Sequence, residues 1–366
     1  MYLEPITENT VIQTTQKLKS KLSTGHDAIR TKLLKEIIDT ICMPLTHIIN
    51  LSFETGIVPD QLKIAKVVPI YKASDNTSLN NYRPISLLPA SSKLLEKIMF
   101  DKVMGFLNSH DVLYKQQYGF RPKHSTIHPI IHFLNHCAET NNEINTKCTL
   151  AIFCDLAKAF DVINHEILLK KLNRYGIRGI VNSWFRNYLA NRKQFVMFQE
   201  THSPLMNIMC GVPQGSILGP LLYLIYVNDI PYSCDSKILS FADDTTLLIS
   251  KPDLDSLFIE ANREVNKLYN WFCANKLSLN AKKTKYVVIK PAYKRYVFTD
   301  RSVKIDGTEL TRIGNDCKET STKFLGMHFD DSLSWKKHIS NVNSKMSRAI
   351  FAIKQVKKFL PHEITH

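Results

Sequence analysis

Phe241-Ala242-Asp243-Asp244-Thr245-Thr246 constrains the fold of this chain more than any other stretch. Two adjacent carboxylates sit between two apolar runs, Ile238–Ala242 and Leu247–Ile249. The pattern predicts a tight β-hairpin with acids at its tip. Asp-Asp is a poor two-residue turn, because such turns favour residues that tolerate positive φ. A turn that breaks its local rule points to function. Two hard oxygen ligands on a rigid hairpin suit Mg²⁺, which takes one or two carboxylates together with substrate phosphates. A lone Asp-Asp pair is more often a solvated loop, so the pair gains meaning only from its neighbours.

A second acid has similar surroundings. Thr149–Cys154 is a short apolar run that reads as a buried strand. Asp155 ends it. If that strand lies beside the hairpin, Asp155 and Asp243 can grip the same pair of metals. Two ions roughly 3.5–4 Å apart clamp the attacking and leaving oxygens of an in-line phosphoryl displacement.

The 366 residues allow two or three domains and a sizeable core. No apolar run approaches the ~18 residues of a membrane span. No signal peptide is visible in Met1–Thr24. The net charge of +15 favours a polyanionic partner, most simply nucleic acid. The excess is uneven: residues 281–366 hold 18 Lys/Arg against 8 Asp/Glu. A solvated basic surface is the plain alternative. None of the eight cysteines forms a Cys-x-x-Cys pair, so no zinc site is readable. Cys154 and Cys210 lie in strand-like runs and read as core thiols. The set suggests a reducing, intracellular compartment.

Along the chain, residues 11–24 read as a helical lead-in. Helices follow over Ala28–Ile41 and Met43–Phe53, the second stopped by Gly56 and Pro59. Ile64–Tyr71 and Tyr82–Leu88 read as strands around a polar loop, and Ser91–Asn108 as a helix. The basic loop Gln117–Thr126 leads into another helix. Ile177, Ile180, Val181, Trp184, Phe185, Tyr188 and Leu189 repeat at helical spacing, with aromatics that belong to a core. Phe195–Phe198 and Leu205–Cys210 read as paired strands. Later come a strand over Tyr286–Ile289, a hairpin around Asp306-Gly307 and a strand over Phe324–Phe329. Ile339, Val342, Met346, Ile350, Ile353 and Val356 mark a last helix, with Lys345, Arg348, Lys354, Lys357 and Lys358 mostly off that stripe. Such a basic face suits a nucleic-acid backbone, and equally an ordinary solvated surface.

These pieces, in linear order, resemble the reverse transcriptase domain of non-LTR (LINE-like) retrotransposons. Ser23–Ile29 resembles the N-terminal block of that group. Val67–Lys72 and Asn81–Leu88 resemble its two fingers motifs, and Gln117–Thr126 its linking block. Phe153–Asp161 resembles motif A, Gly211–Pro220 motif B and Phe241–Asp244 motif C. Asn280–Thr284 resembles motif D, and Lys323–Gly326 motif E.

The resemblance implies an α+β chain with the right-hand polymerase fold. Residues 1–146 would form fingers of helices and strands with an N-terminal extension. Residues 147–330 would form the palm, an antiparallel sheet backed by helices, with a helical insertion between motifs A and B. Residues 331–366 would begin a helical thumb, truncated by the end of the chain. No endonuclease and no C-terminal Cys/His knuckle is visible. The implied activity is RNA-directed DNA synthesis from a DNA primer 3′ end, with two Mg²⁺ ions or Mn²⁺ in their place. RNA template, primer and dNTPs would be the partners, with no membrane. Asp155 and Asp243 would bind both ions, with Asp244 less direct. Lys72 and Arg83 would grip the nucleotide, Arg83 through its planar fork. Phe160 would block a ribonucleotide 2′-hydroxyl, Gln214 would meet template or nucleotide, and Gly215 would let the backbone approach a base pair. Lys283 would give a proton to pyrophosphate, or, beside Lys282 and Lys285, equally just attract phosphate. Arg121, Lys123 and the basic residues of the last helix would hold nucleic acid. A nuclear location follows only from the element's way of life. The alternatives are a group II intron-type reverse transcriptase and a silent relic that binds nucleic acid without polymerising.

Overall fold

Short apolar runs with few polar breaks become strands buried on both faces, and Cys148–Cys154 is the clearest case. It is the middle strand of a five-stranded sheet in the computed structural model, which describes residues 1–72, 75–142, 148–289, 298, 301–357 and 359. The sheet runs Thr311–Ile313, Lys285–Ile289, Cys148–Cys154, Asp244–Lys251, Lys237–Phe241. Only the first of these pairings is parallel. Antiparallel partners share a face, so Phe153 and Thr246 lie on one side, and Ile152, Leu247 and Tyr286 on the other.

Each side is covered. Helix Ile127–Asn142 lies on the Phe153 side. Its buried Phe133 meets Phe153 at 6.1 Å, Phe324 at 6.1 Å and Phe329 at 5.1 Å. Helix Leu254–Ala274 covers the other, with Phe258 edge-on to Tyr286. Glu264 of that helix is fully buried, and its carboxylate accepts the Asp235 and Ser236 amides at 2.7 and 2.9 Å. These two bonds fix the root of the Lys237–Phe241 strand. Two satellite hairpins complete this part, Lys304–Ile305 with Thr308–Glu309 and Thr322–Phe324 with Met327–Phe329. Helix Lys336–Lys357 follows, with its apolar stripe exposed.

Residues 123–156, 233–270 and 279–366 make up that unit; residues 1–122, 157–232 and 271–278 make up another. The latter has a smaller sheet. Strand Ile64–Tyr71 pairs antiparallel with Tyr82–Leu87 and parallel with Lys193–Phe198. Around it lie helices Glu8–Lys17, Thr31–Thr55, Ala90–Ser109, His165–Arg174, Ile180–Leu189 and Leu218–Val227. Trp184 is fully buried and stacks on Tyr188 at 5.4 Å.

Several expectations change in detail. The two helices expected over 28–53 are one, Thr31–Thr55, running through Pro44. Leu34, Ile38, Cys42, Ile49 and Phe53 form one buried face across the proline, and Pro44 itself faces solvent. The strand expected over Phe324–Phe329 is a hairpin, turned by Leu325 and Gly326 at φ 47° and 94°. Leu205–Cys210 keeps only Met206–Asn207 as strand, and Cys210 is exposed instead of a core thiol; Cys154 is buried as expected. Among the described residues no helix is long and apolar enough to cross a membrane.

Candidate active site

The hairpin register pairs Phe241 with Asp244. The two turn residues are therefore Ala242 and Asp243, and Asp244 opens the returning strand. Ala242 takes φ 57° without being glycine, while Asp243 stays at negative φ. That sign pattern belongs to a type II′ turn, which ordinarily takes Gly first. The expectation of acids at the tip holds, with the turn one residue earlier than Asp-Asp.

The last recorded pair between the neighbouring strands is Cys154 with Thr245. One step further sets Asp155 opposite Asp244, on the Phe153 side. Asp155 is half-buried, and Asp243 and Asp244 are exposed. The Asp244 carboxyl is pushed up to about 6 by loss of solvent first, then by the Asp243 and Asp155 charges. Asp244 is exposed as a residue, so the loss of solvent is local to its carboxyl group, with the two neighbouring charges adding to it. The Asp155 peptide is fixed on both sides. Its amide donates to the Thr284 hydroxyl at 3.2 Å, and its carbonyl accepts the Asn280 amide at 2.8 Å. Thr284 is fully buried. Lys283 is exposed on the same turn. A cavity of about 340 Å³ opens beside Asp244, lined by Phe153, Thr246, Lys323 and Phe324.

Among the described residues, no three His, Cys, Asp or Glu side chains converge tightly enough to hold an ion by protein ligands alone. Mg²⁺ does not need such a cage, since it keeps waters and uses one or two carboxylates with substrate phosphates. Mutual repulsion among Asp155, Asp243 and Asp244 is what a divalent cation would relieve. The donor set therefore fits that ion.

The other unit carries the remaining nucleotide-directed candidates. Ile70 pairs with Arg83, so Lys72 and Arg83 share one face of their hairpin, both exposed. The Gln214 side-chain amide donates to Asp161 at 2.8 Å, and the Gln214 backbone carbonyl accepts the Ser86 amide at 2.7 Å. Gly215 takes φ +118°, and a Cβ there would lie 2.6 Å from the Ser86 carbonyl oxygen. Phe160 stacks on the buried Tyr223 at 4.8 Å and meets Phe120 edge-on at 5.8 Å.

Glu96 escaped the sequence reading. It is a fully buried acid on an otherwise apolar helix face, and it accepts the Tyr188 hydroxyl at 2.7 Å and the Ile217 amide at 2.6 Å. Burial pushes its carboxyl above the ordinary value, against the pull of Arg192, Tyr188 and the Ile217 and Leu218 amides. Helix Leu218–Val227 has no side-chain cap of its own at Ile217, and Glu96 supplies one from outside. The only signal was one acid amid Leu94, Leu95, Ile98 and Met99.

Of the nucleic-acid candidates, Arg121 donates to the Tyr114 and Gln117 carbonyls at 2.9 and 3.4 Å, so part of its fork is engaged within its own loop. Lys123, Lys345, Arg348, Lys354 and Lys357 are exposed, and Lys358 lies outside the described residues.

The model of the family described as reverse transcriptase (RNA-dependent DNA polymerase) matches residues 70–329. The chain belongs to the reverse transcriptase family. It is 27% identical over 354 residues to the probable RNA-directed DNA polymerase from transposon BS of Drosophila melanogaster, covering 92% of this chain and 37% of that protein. Against the RNA-directed DNA polymerase from mobile element jockey of the same species, identity is 26% over 353 residues, covering 93% and 37%. The probable RNA-directed DNA polymerase from transposon X-element, also of that fly, is 26% identical over 328 residues, covering 88% and 35%. The chain thus spans little more than a third of the length of these relatives. Within the reverse transcriptase family, these relatives stand on the non-LTR retrotransposon side, as the motifs do.

Proposed function

We propose that this chain extends a primer 3′ end with deoxynucleoside triphosphates on an RNA template, as the polymerase part of a non-LTR retrotransposon protein. The observation that carries the reading is Asp155 at the open end of a buried strand, one register step from facing Asp244, with Asp243 beside them. Asp155 and Asp243 hold the catalytic cations, Mg²⁺ or Mn²⁺, and Asp244 supports them. When bound, such ions lower the pKa of the primer hydroxyl and neutralise charge on the triphosphate.

Lys72 and Arg83 grip the triphosphate, Arg83 with two parallel donors and Lys72 as a point charge. Phe160 occupies the space a ribonucleotide 2′-hydroxyl would need. Gln214 offers its amide to template or nucleotide, and Gly215 leaves room for a base pair to approach. Lys283 gives a proton to the departing pyrophosphate. Residues 1–146 serve as fingers, 147–330 as palm and 331–366 as the start of a thumb. Support for the palm is that all five strands of the acid-bearing sheet fall within 147–330. Arg121, Lys123, Lys345, Arg348, Lys354, Lys357 and Lys358 contact the nucleic-acid backbone.

Primer extension on an RNA template with Mg²⁺, comparing the native chain with Asp243→Asn, tests the reading. Extension by the native chain and none by the variant is expected. Nucleic-acid binding without extension by either would contradict it.

A further inference from the structure

Phe120 stands in a conformation that its side chain does not favour. Its φ is 57°, in the left-handed region that bulky residues rarely enter, and the residue is 44% exposed. Burial in a core therefore does not account for an aromatic here, and glycine would suit the backbone better. The loop around it is built to hold this shape. Gln117, itself buried, accepts the Gly119 amide on its side-chain oxygen at 2.9 Å, and Arg121 ties back to the Tyr114 carbonyl at 2.9 Å. What the strained residue touches is Phe160. The two rings meet edge to face, 5.8 Å apart and 83° inclined. Tyr223, fully buried, stacks on the same Phe160 ring at 4.8 Å and 26°.

A ring that selects by steric exclusion must not swing aside when the larger substrate arrives. Tyr223 contacts Phe160 in a stack, and Phe120 sets an edge-on contact against the same ring, so rotation of Phe160 has to displace one of them. Backbone strain that persists where packing does not reward it points to a functional contact.

We propose that Phe120 is a second sugar-selectivity residue, a backstop that keeps the Phe160 ring in place against a 2′-hydroxyl. The proposal rests on the reading of Phe160 as the residue that excludes ribonucleotides. Phe120 is a positioning residue and acts through Phe160.

The test measures kcat/KM for dNTP and rNTP incorporation, and Tm, for the full chain and for Phe120→Gly, Phe120→Tyr, Phe160→Ala and the Phe120→Gly/Phe160→Ala double variant. Phe120→Gly is expected to lower dNTP-over-rNTP discrimination about tenfold, equal to about 1.36 kcal/mol of differential transition-state binding. Its Tm should hold or rise, since glycine relieves the backbone. Phe120→Tyr should keep the discrimination, and the double variant should discriminate no worse than Phe160→Ala alone. Loss of discrimination in Phe160→Ala with none in Phe120→Gly overturns the backstop and leaves the Phe160 reading intact. Unchanged discrimination in both overturns the Phe160 reading, and the backstop with it.

Discussion

Carboxylates crowded without a counter-ion cost stability, and Asp244 shows where. Its folded pKa of about 6 lies above the ordinary 3.8, so the native state binds the proton more tightly than the unfolded chain. The associated stability is present below the unfolded value and is lost as pH rises through about 6. Asp244→Asn is therefore expected to flatten the fall of Tm between about pH 4 and 6 in metal-free protein. At pH 7.5 it should raise Tm by roughly 1–3 °C. Equal slopes in wild type and variant, read by differential scanning fluorimetry, would show that neither burial nor the neighbouring charges perturb the Asp244 carboxyl. Glu96 poses the opposite problem, because its charge partner Arg192 is also fully buried. Glu96→Ala leaves the buried Tyr188 hydroxyl and the Ile217 amide without their acceptor and should destabilise by about 1–3 kcal/mol in urea unfolding. Glu96→Gln keeps the shape and an acceptor for the Ile217 amide, with the Tyr188 hydroxyl turned to accept from the new side-chain amide, and should cost less. The role of Glu96 was not legible in the sequence. Asp155 and Asp243 announced themselves by their apolar flanks, whereas Glu96 sits three residues beyond Lys93 and just before Lys97, like any acid on a helix surface.

Elements were readable where one physical signal dominated. Cys148–Cys154 and Lys285–Ile289 are apolar enough to be strands and nothing else. Asp306-Gly307 turns its hairpin with φ 47° and 73°, as that dipeptide should. Boundaries slipped where tertiary contact overrode the local rule. Pro44 did not end its helix because the buried face continues beyond it. The acid turn begins at Ala242 because the strand pairing, not turn preference, sets the register. The turn Pro213–Ser216 has little room to change. Gly215→Ala would put a methyl group 2.6 Å from the Ser86 carbonyl at a φ of +118°. The expected cost is about 1–3 kcal/mol of stability, with KM for dNTP raised as the Gln214 turn shifts. A Gly215→Ala variant with wild-type Tm and KM would mean the close approach is not needed.

For the molecule as a whole, the surplus of 15 positive charges is the property most open to measurement. The last described helix places Lys345, Arg348, Lys354 and Lys357 on exposed positions. If these meet phosphates, changing all four to Gln should reduce the slope of log K against log salt by about 3, each contact contributing roughly 0.7–0.9. An unchanged slope in fluorescence anisotropy would assign the basic face to solvation alone. The exposed stripe Ile339, Met346 and Ile350 on that helix shows why periodicity could not decide this: it reports a helix, and says nothing of what covers it. The acid-bearing sheet was easier, because four of its five strands carried their own signal and two of those runs ended on acids. The account stands or falls on those acids acting together. The rate of single-nucleotide addition to a primer on an RNA template, measured for Asp155→Asn against the native chain, tests this most directly. A fall of about a thousandfold or more, some 4 kcal/mol of barrier, is expected. A variant that adds nucleotides at the native rate would contradict it.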